Sequence, residues 1–516
     1  MDPAKRVVKN TFFLYGRMLI TILISLLSTR LILNALGKVD YGIFNLVGSI
    51  IAMLMFINGA MTLASSRYLN IALGSGNIEK VKSVFSSSVV LHLILSFIIV
   101  LILETAGLFL FDGALNIPAE RINTAKVIFH FMVVNTFFTI NAVPYDASIM
   151  AHENFLFDAV LGIIESFLKL GIAVWLIYTN IDKLIFYGLL MACMTIGARI
   201  VKGIYCHRKY EECRINVRSH VRIPLFKEML AFAWWNMFGL FCGVLKNQGL
   251  AILLNLFFGI LVNAAYGIAN TVNSNIRHFS SVMIRATMPQ ITKSEGSGNR
   301  ERMLKLSVFT SKMSFFLLAF FAVPIIVEAP YILKLWLKTV PENAVIFCQL
   351  ILILSLAYQI TIGTMAAVTS VGNIKKFQIA VGAFEVLNLP VAWALLKLGL
   401  PVYSVFAGAI ILELIAGIIR TWFAHKIAGL DMKDFLVKTW FYSLASAVLT
   451  GLIAVLLRFL IDEGMVRLII VCIFTSLSLI MLGKYFVLTF EENAKITEII
   501  QYFFFNARKK IVVNGI

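Results

Sequence analysis

Basic side chains set inside long apolar runs are the residues in this sequence with the most chemistry to offer. Of 45 lysines and arginines, nine fall within such runs. Arg199, Arg285, Lys312 and Lys484 lie near run ends, where a long stem lets the charge reach lipid headgroups. Arg17, Arg30, Lys169, Lys246 and Arg277 lie deeper. A charge near the bilayer centre costs about 2.5–3.5 kcal/mol on insertion scales, so each should face an aqueous cavity or an acidic partner. Arginine presents phosphate with a planar fork making two parallel hydrogen bonds, and lysine adds a point charge. These five are candidates for holding an anionic substrate. Arg277 and Lys246 come first, because neither has an acid close by in sequence.

Lys169 does have one. Glu165 precedes it by one helical turn, in the favourable order, so a self-neutralising pair is the competing reading. Arg17 and Arg30 are thirteen residues apart, which puts them about 140° apart around a helix, so they cannot share one radius. Arg30, near the outer end, has the alternative of holding hinge carbonyls. The acids inside the runs are Glu104, Glu165, Glu328, Glu385 and Glu413. Glu104 and Glu328 read as interfacial. Glu385 with Asn388 one turn on, Glu413 on the next helix, and Glu165 are candidates for binding a coupling cation or carrying a proton. Pairing with a buried base such as Lys246 is the alternative for these acids.

Nothing resembles an enzyme or metal site. Walker A, H-E-x-x-H and G-x-S-x-G patterns are absent from the sequence. The six cysteines show no metal-ligand spacing and read as buried free thiols. Neither catalytic nor metal-ligating residues nor a cofactor are expected.

The elements that position these side chains follow from composition. The 516 residues are 60% hydrophobic, with a mean hydropathy of +0.90 and only 14% charged, against roughly 25% charged in soluble domains. The bilayer is the natural solvent for such a chain. About 20 apolar residues cross it as a helix, and by that rule about fourteen spans are expected, beginning near 10–33 and ending near 467–489. The run from Asn10 to Leu33 is too long for a signal-peptide core and reads as the first span.

The net charge of +18 would point to nucleic acid in a soluble protein. Here alternate loops hold 27 Lys and Arg against 9 in the others, so the charge follows topology and nucleic acid is not expected as a partner. Cytoplasmic loops collect these residues, which places both termini in the cytoplasm. The most basic stretch, Lys202 to Lys227, reads as a linker whose charge serves topology and lipid contact. Pro324 and Pro390 should kink the ninth and eleventh helices.

An internal repeat sets the architecture. G-S-G-N-I-E-K at Gly74 returns as G-S-G-N-R-E-R at Gly296, Pro118 matches Pro341, and G-I-I-E ending at Glu165 matches G-A-F-E ending at Glu385. The offsets are 220 to 223 residues, six helices long, so both copies keep the same orientation. The expected fold is an all-α polytopic membrane protein with two parallel-repeat six-helix lobes around a central cavity, plus a C-terminal helix pair. The boundaries are 1–222 for the N-lobe, 223–435 for the C-lobe, and 436–516 for the last pair and tail. The stretch T-R-L-I-L-N-A-L-G-K-V-D-Y-G-I-F-N, Thr29 to Asn45, joins the first two helices as a hinge, where Gly37 and Gly42 allow a tight turn. Its degraded copy is L-N-L-F-F-G-I-L-V-N-A-A-Y-G-I-A-N, Leu254 to Asn270.

Those two stretches, with R-Y-L-N-I-A-L-G-S-G-N between them, resemble the polysaccharide (Wzx-type) flippases of the multidrug/oligosaccharidyl-lipid/polysaccharide exporter superfamily, over essentially the whole chain. The resemblance implies a bacterial inner-membrane protein that flips an undecaprenyl-diphosphate-linked oligosaccharide by alternating access. The oligosaccharide would be an O-antigen, capsule or exopolysaccharide repeat unit. Drive would come from sodium, protons or membrane potential, with membrane lipids and a polysaccharide polymerase as further partners. The implied cavity bases meet the diphosphate, which matches the unpaired cations above. Rival readings are a cation-coupled multidrug exporter or a lipid II flippase of the same superfamily, and a scaffold that binds the precursor without moving it.

Overall fold

A computed structural model of the chain describes residues 3–52, 55–111, 117–214, 220–337, 339–494 and 497–498. Within them all regular structure is helical, as a chain in lipid requires when each backbone N–H and C=O must be satisfied within its own segment. Two units form. The N-unit is Asn10–Met237, and the C-unit runs from Phe238 onward with the opening residues of the chain. In the C-unit the final helix pair packs against the rest of that unit.

The N-unit contains α1 (Pro3–Ala52) from Asn10 on, α2 (Met55–Gly74), α3 (Ile78–Phe109), α4 (Ile122–Ala151), α5 (Phe155–Tyr178), α6 (Lys183–Lys209) and the start of α7 (Ile223–Phe258). Its core joins Ile32 and Val47 of α1 to Leu103, Phe129 and Leu184. The C-unit continues α7 and adds α8 (Ile260–Gly296), α9 (Arg300–Leu337), α10 (Ala344–Gln359), α11 (Ile362–Val371), α12 (Lys375–Lys397), α13 (Ser404–Ala428), α14 (Tyr442–Leu460) and α15 (Met465–Leu482).

Eleven of the described helices are long and apolar enough to span a membrane, and twelve if α10 and α11, bent by 41°, form one broken span. The chain is thus a multi-pass membrane protein. Fourteen is not reached by length and hydropathy alone. The second apolar run, near 42–64, crosses residues 53–54, which lie outside the described set, and α8 is long but too polar, with Asn263, Asn270, Asn273, Asn275, Arg277 and His278 along it.

The hinge turns at a single glycine. Gly37 breaks α1 at φ 78°, ψ 171°, and Gly259 separates α7 from α8 at φ 78°, ψ −167°. This region of backbone space is essentially reserved for glycine. Gly42 takes no positive φ; it lies inside the helix beyond the break. Asp40 of the same motif is buried and accepts from Arg121, whose other nitrogen donates to Asp182 at 2.5 Å. Asp182 in turn caps α6 through the Leu184 and Ile185 amides. The arginine fork therefore ties the hinge to two other helix ends.

A second break sits in α9. Pro330 removes the amide that would bond the Ile326 carbonyl, the chain leaves helical torsions at Glu328, and the Gln349 side chain donates to that orphan carbonyl at 2.8 Å. Pro324 and Pro390 stay within continuous helix. Glu328, expected at the interface, is fully buried and paired at 2.9 Å with Arg467 of α15. Lys312 also departs from expectation. It does not snorkel, but is buried against Glu492 at 2.9 Å.

Candidate functional site

Each unit carries an ion cluster and a cavity. In the N-unit, Asp158 lies in the first turn of α5 and accepts from Arg17 of α1 and, at 3.2 Å, from Lys202 of α6. Lys202 also reaches Asp146 of α4 at 2.7 Å, with Arg199 3.9 Å from the same carboxylate. Three bases thus meet two acids. Gly162, one turn beyond Asp158, makes room for Arg17, because a Cβ there would collide with the guanidinium. Lys202, assigned to the linker by sequence, is in fact a buried residue of α6.

Lys169 lies two turns further along α5 from Gly162. It lines a cavity of about 330 Å³ with Thr21, Ser25, Ser28 and Ser166. Among the described residues no carboxylate stands within 4 Å of it; the local Glu165–Lys169 pair is not formed. Arg30 is exposed and likewise pairs with no described acid.

The C-unit cluster is built from the matching helices at mid-span. Lys246 of α7 bonds Glu385 of α12 at 2.7 Å and stands 3.9 Å from Glu413 of α13. Arg420, on α13 and fully buried, donates to Glu413, to Thr361 Oγ1 at 3.3 Å and to Glu385 at 3.5 Å. Two bases and two acids balance. Beside them a cavity of about 200 Å³ holds Arg277 of α8, whose guanidinium lies 4.9 Å from the Tyr358 ring centre with no described carboxylate within salt-bridge reach. Asn388 lines the same cavity; its amide nitrogen donates to the Phe384 carbonyl, while its oxygen is buried without a partner.

The structure thus brings Lys246, Arg277, Glu385, Asn388 and Glu413 together, and sets Arg17 and Lys169 apart from them in the N-unit. Lys246, with no acid close by in sequence, pairs with one 139 residues away, as the alternative reading of Glu385 allowed. Glu385 and Glu413 take the alternative left open for them and pair with bases. Arg420 escaped notice altogether, although its separation of seven residues from Glu413 puts both on one helical face. Asp146 and Asp158 were missed because they lie near helix ends, where an acid attracts no comment. Among the described residues no group of three His, Cys, Asp or Glu is placed to hold a metal ion.

Long helices in two units, each with polar clusters and a cavity inside an apolar shell, define a polytopic transporter-like fold. The solved structures agree. The chain is similar to an outward-facing multidrug resistance MATE family transporter of the MOP superfamily (15% identity, TM-score 0.70, covering 84% of this chain and 97% of that one). It is similar to a MATE protein in its straight conformation (16%, 0.71, 84% and 98%). A third is a MOP superfamily transporter from Pyrococcus furiosus, described as having a binding pocket of reverse polarity that suggests a different function (14%, 0.68, 84% and 97%). No curated protein matches the sequence. The profile of the polysaccharide biosynthesis protein family matches residues 7–295, more than half the chain, and the chain belongs to that family.

Proposed function

We propose that this protein is a flippase that moves an undecaprenyl-diphosphate-linked oligosaccharide across the bacterial inner membrane, with both termini in the cytoplasm. The observation that carries the reading is that each unit has a cavity walled partly by a base that no described carboxylate neutralises, Lys169 in one and Arg277 in the other. Burying charge in lipid-facing helices without a partner is costly, so an anionic cargo is the economical occupant. Family membership supports a glycan-linked cargo.

Lys169, with the Ser and Thr hydroxyls around it, suits a phosphate oxygen. Arg17 is a weaker candidate, because Asp158 already holds it. A drug exporter driven by cations calls for free acids in the cavity, whereas Glu385 and Glu413 are both held by Lys246 and Arg420. Drive by sodium, protons or the membrane potential belongs to the same proposal, as does delivery of the flipped glycan to a polymerase.

The test is flipping of a fluorescent lipid-diphosphate sugar in proteoliposomes, read by quencher access to the outer leaflet. Lys169→Ala and Arg277→Ala should each slow it by roughly tenfold or more, as loss of a charge-assisted hydrogen bond implies. Wild-type protein that moves no labelled lipid, or variants that match it, would sink the reading.

A further inference from the structure

We infer that the C-unit cavity is a subsite for one sugar ring bearing a carboxylate, and not for the diphosphate. The inference rests on the flippase reading and assigns the sugar end of that cargo. The lining is what a polyol needs. Asn247, Asn270, Asn273 and Asn388 line one cavity, and an amide side chain both donates and accepts, as a sugar hydroxyl does. The Asn388 oxygen is buried and accepts from no described group, and its amide nitrogen is held by the Phe384 carbonyl, which fixes the side chain in the wall. Tyr266 and Tyr358 stand in the same wall, the Tyr358 ring with the Arg277 and Arg420 guanidinium groups each 4.9 Å from its centre.

The charges decide against phosphate. Lys246 and Arg420 are already compensated by Glu385 and Glu413, so a diphosphate entering here would meet two carboxylates beside its bases. Those carboxylates instead serve as acceptors for hydroxyl donors. Only Arg277 is left over, a single planar fork lying against the Tyr358 ring. One guanidinium matches one carboxylate in a bidentate pair. A uronic acid ring presents that carboxylate and the hydroxyls together.

The experiment is ligand-observed saturation-transfer NMR on the full-length protein in nanodiscs, with methyl β-glucuronide, methyl β-glucoside and inorganic pyrophosphate as probes. Both glycosides should bind, the glucuronide about tenfold tighter through its charged contact. Arg277→Gln should abolish that preference while leaving the glucoside signal, and Asn247→Ala or Asn388→Ala should weaken both sugars. Pyrophosphate should displace neither glycoside. Displacement by pyrophosphate, equal binding of both glycosides to wild type, or no glycoside signal would each overturn the assignment. Because the assay involves no translocation, its failure is separable from failure of the flippase reading. A wild type that flips lipid but binds no glycoside refutes this subsite alone.

Discussion

The two ion clusters share corresponding helices, α1, α5 and α6 in the N-unit and α7, α12 and α13 in the C-unit, with α4 adding Asp146 to the first, and they are wired differently. The N-unit cluster sits at a helix end, where Asp158 is in the first turn of α5. Its three bases outnumber its two acids, and Lys202 keeps a small exposed fraction. The C-unit cluster sits near the middle of α12 and α13, is charge-balanced, and includes an arginine with no exposure at all. The depth explains the balance. Water and headgroups can share the field of a cluster near a helix end, whereas ions at mid-span have only one another. The glycines match as well. Gly162 accommodates Arg17 in one unit, and Gly382 accommodates Cys242 in the other. The glycine position that faces a charge in the first copy faces Cys242 Sγ and the Phe238 ring, each at 3.0 Å, in the second.

That contrast can be broken experimentally, beginning with the largest effect. Arg420→Met leaves Glu413 buried with only Lys246, at 3.9 Å, and is expected to destabilise by about 3–5 kcal/mol. Lys202→Met leaves Asp146 near Arg199 and Asp158 paired with Arg17, so a smaller loss of about 1–3 kcal/mol is expected. Denaturant unfolding in detergent measures both; equal losses would erase the distinction between end and mid-span clusters.

Gly162→Ala must push the Arg17 guanidinium away and should cost about 1–3 kcal/mol. Gly382→Ala meets Cys242 Sγ and Phe238 at 3.0 Å, which a small shift relieves, and should cost less. The reverse order, read from the same unfolding curves, would show that the charged packing is the more tolerant. At the small end, Lys438→Ala removes a pairing with Asp434 at 2.5 Å between exposed side chains, and no resolvable change in thermal midpoint is expected. A clear drop there would mean that exposed pairs also hold the C-unit together.

How much of this was legible can be read from particular residues. The membrane-spanning character was, because 60% apolar composition in 20-residue runs leaves no soluble alternative. The repeat was too, and Gly37 and Gly259 share nearly the same torsions. Lys246, Arg277, Glu385, Asn388 and Glu413 were singled out by the cost of placing polar groups in lipid, and they line one cavity. Of the pairings, only that of Glu385 or Glu413 with Lys246 was named, and as an alternative. Lys246 and Glu385 are 139 residues apart and Arg17 and Asp158 are 141 apart, and hydropathy carries no information about which faces of distant helices meet. The nearest acid in sequence misled in one case, since Glu165 leaves Lys169 unpaired although it lies one turn away.

The sequence by itself determined the solvent, the helical class, the twofold plan and the small set of residues expensive enough in lipid to need a reason. Those properties are local or additive along the chain. Only the tertiary structure decided which charges cancel and which remain. Helix rotation and depth bring Glu385 to Lys246 and leave Lys169 and Arg277 without an acid among the described residues, and neither quantity is fixed by composition or spacing alone.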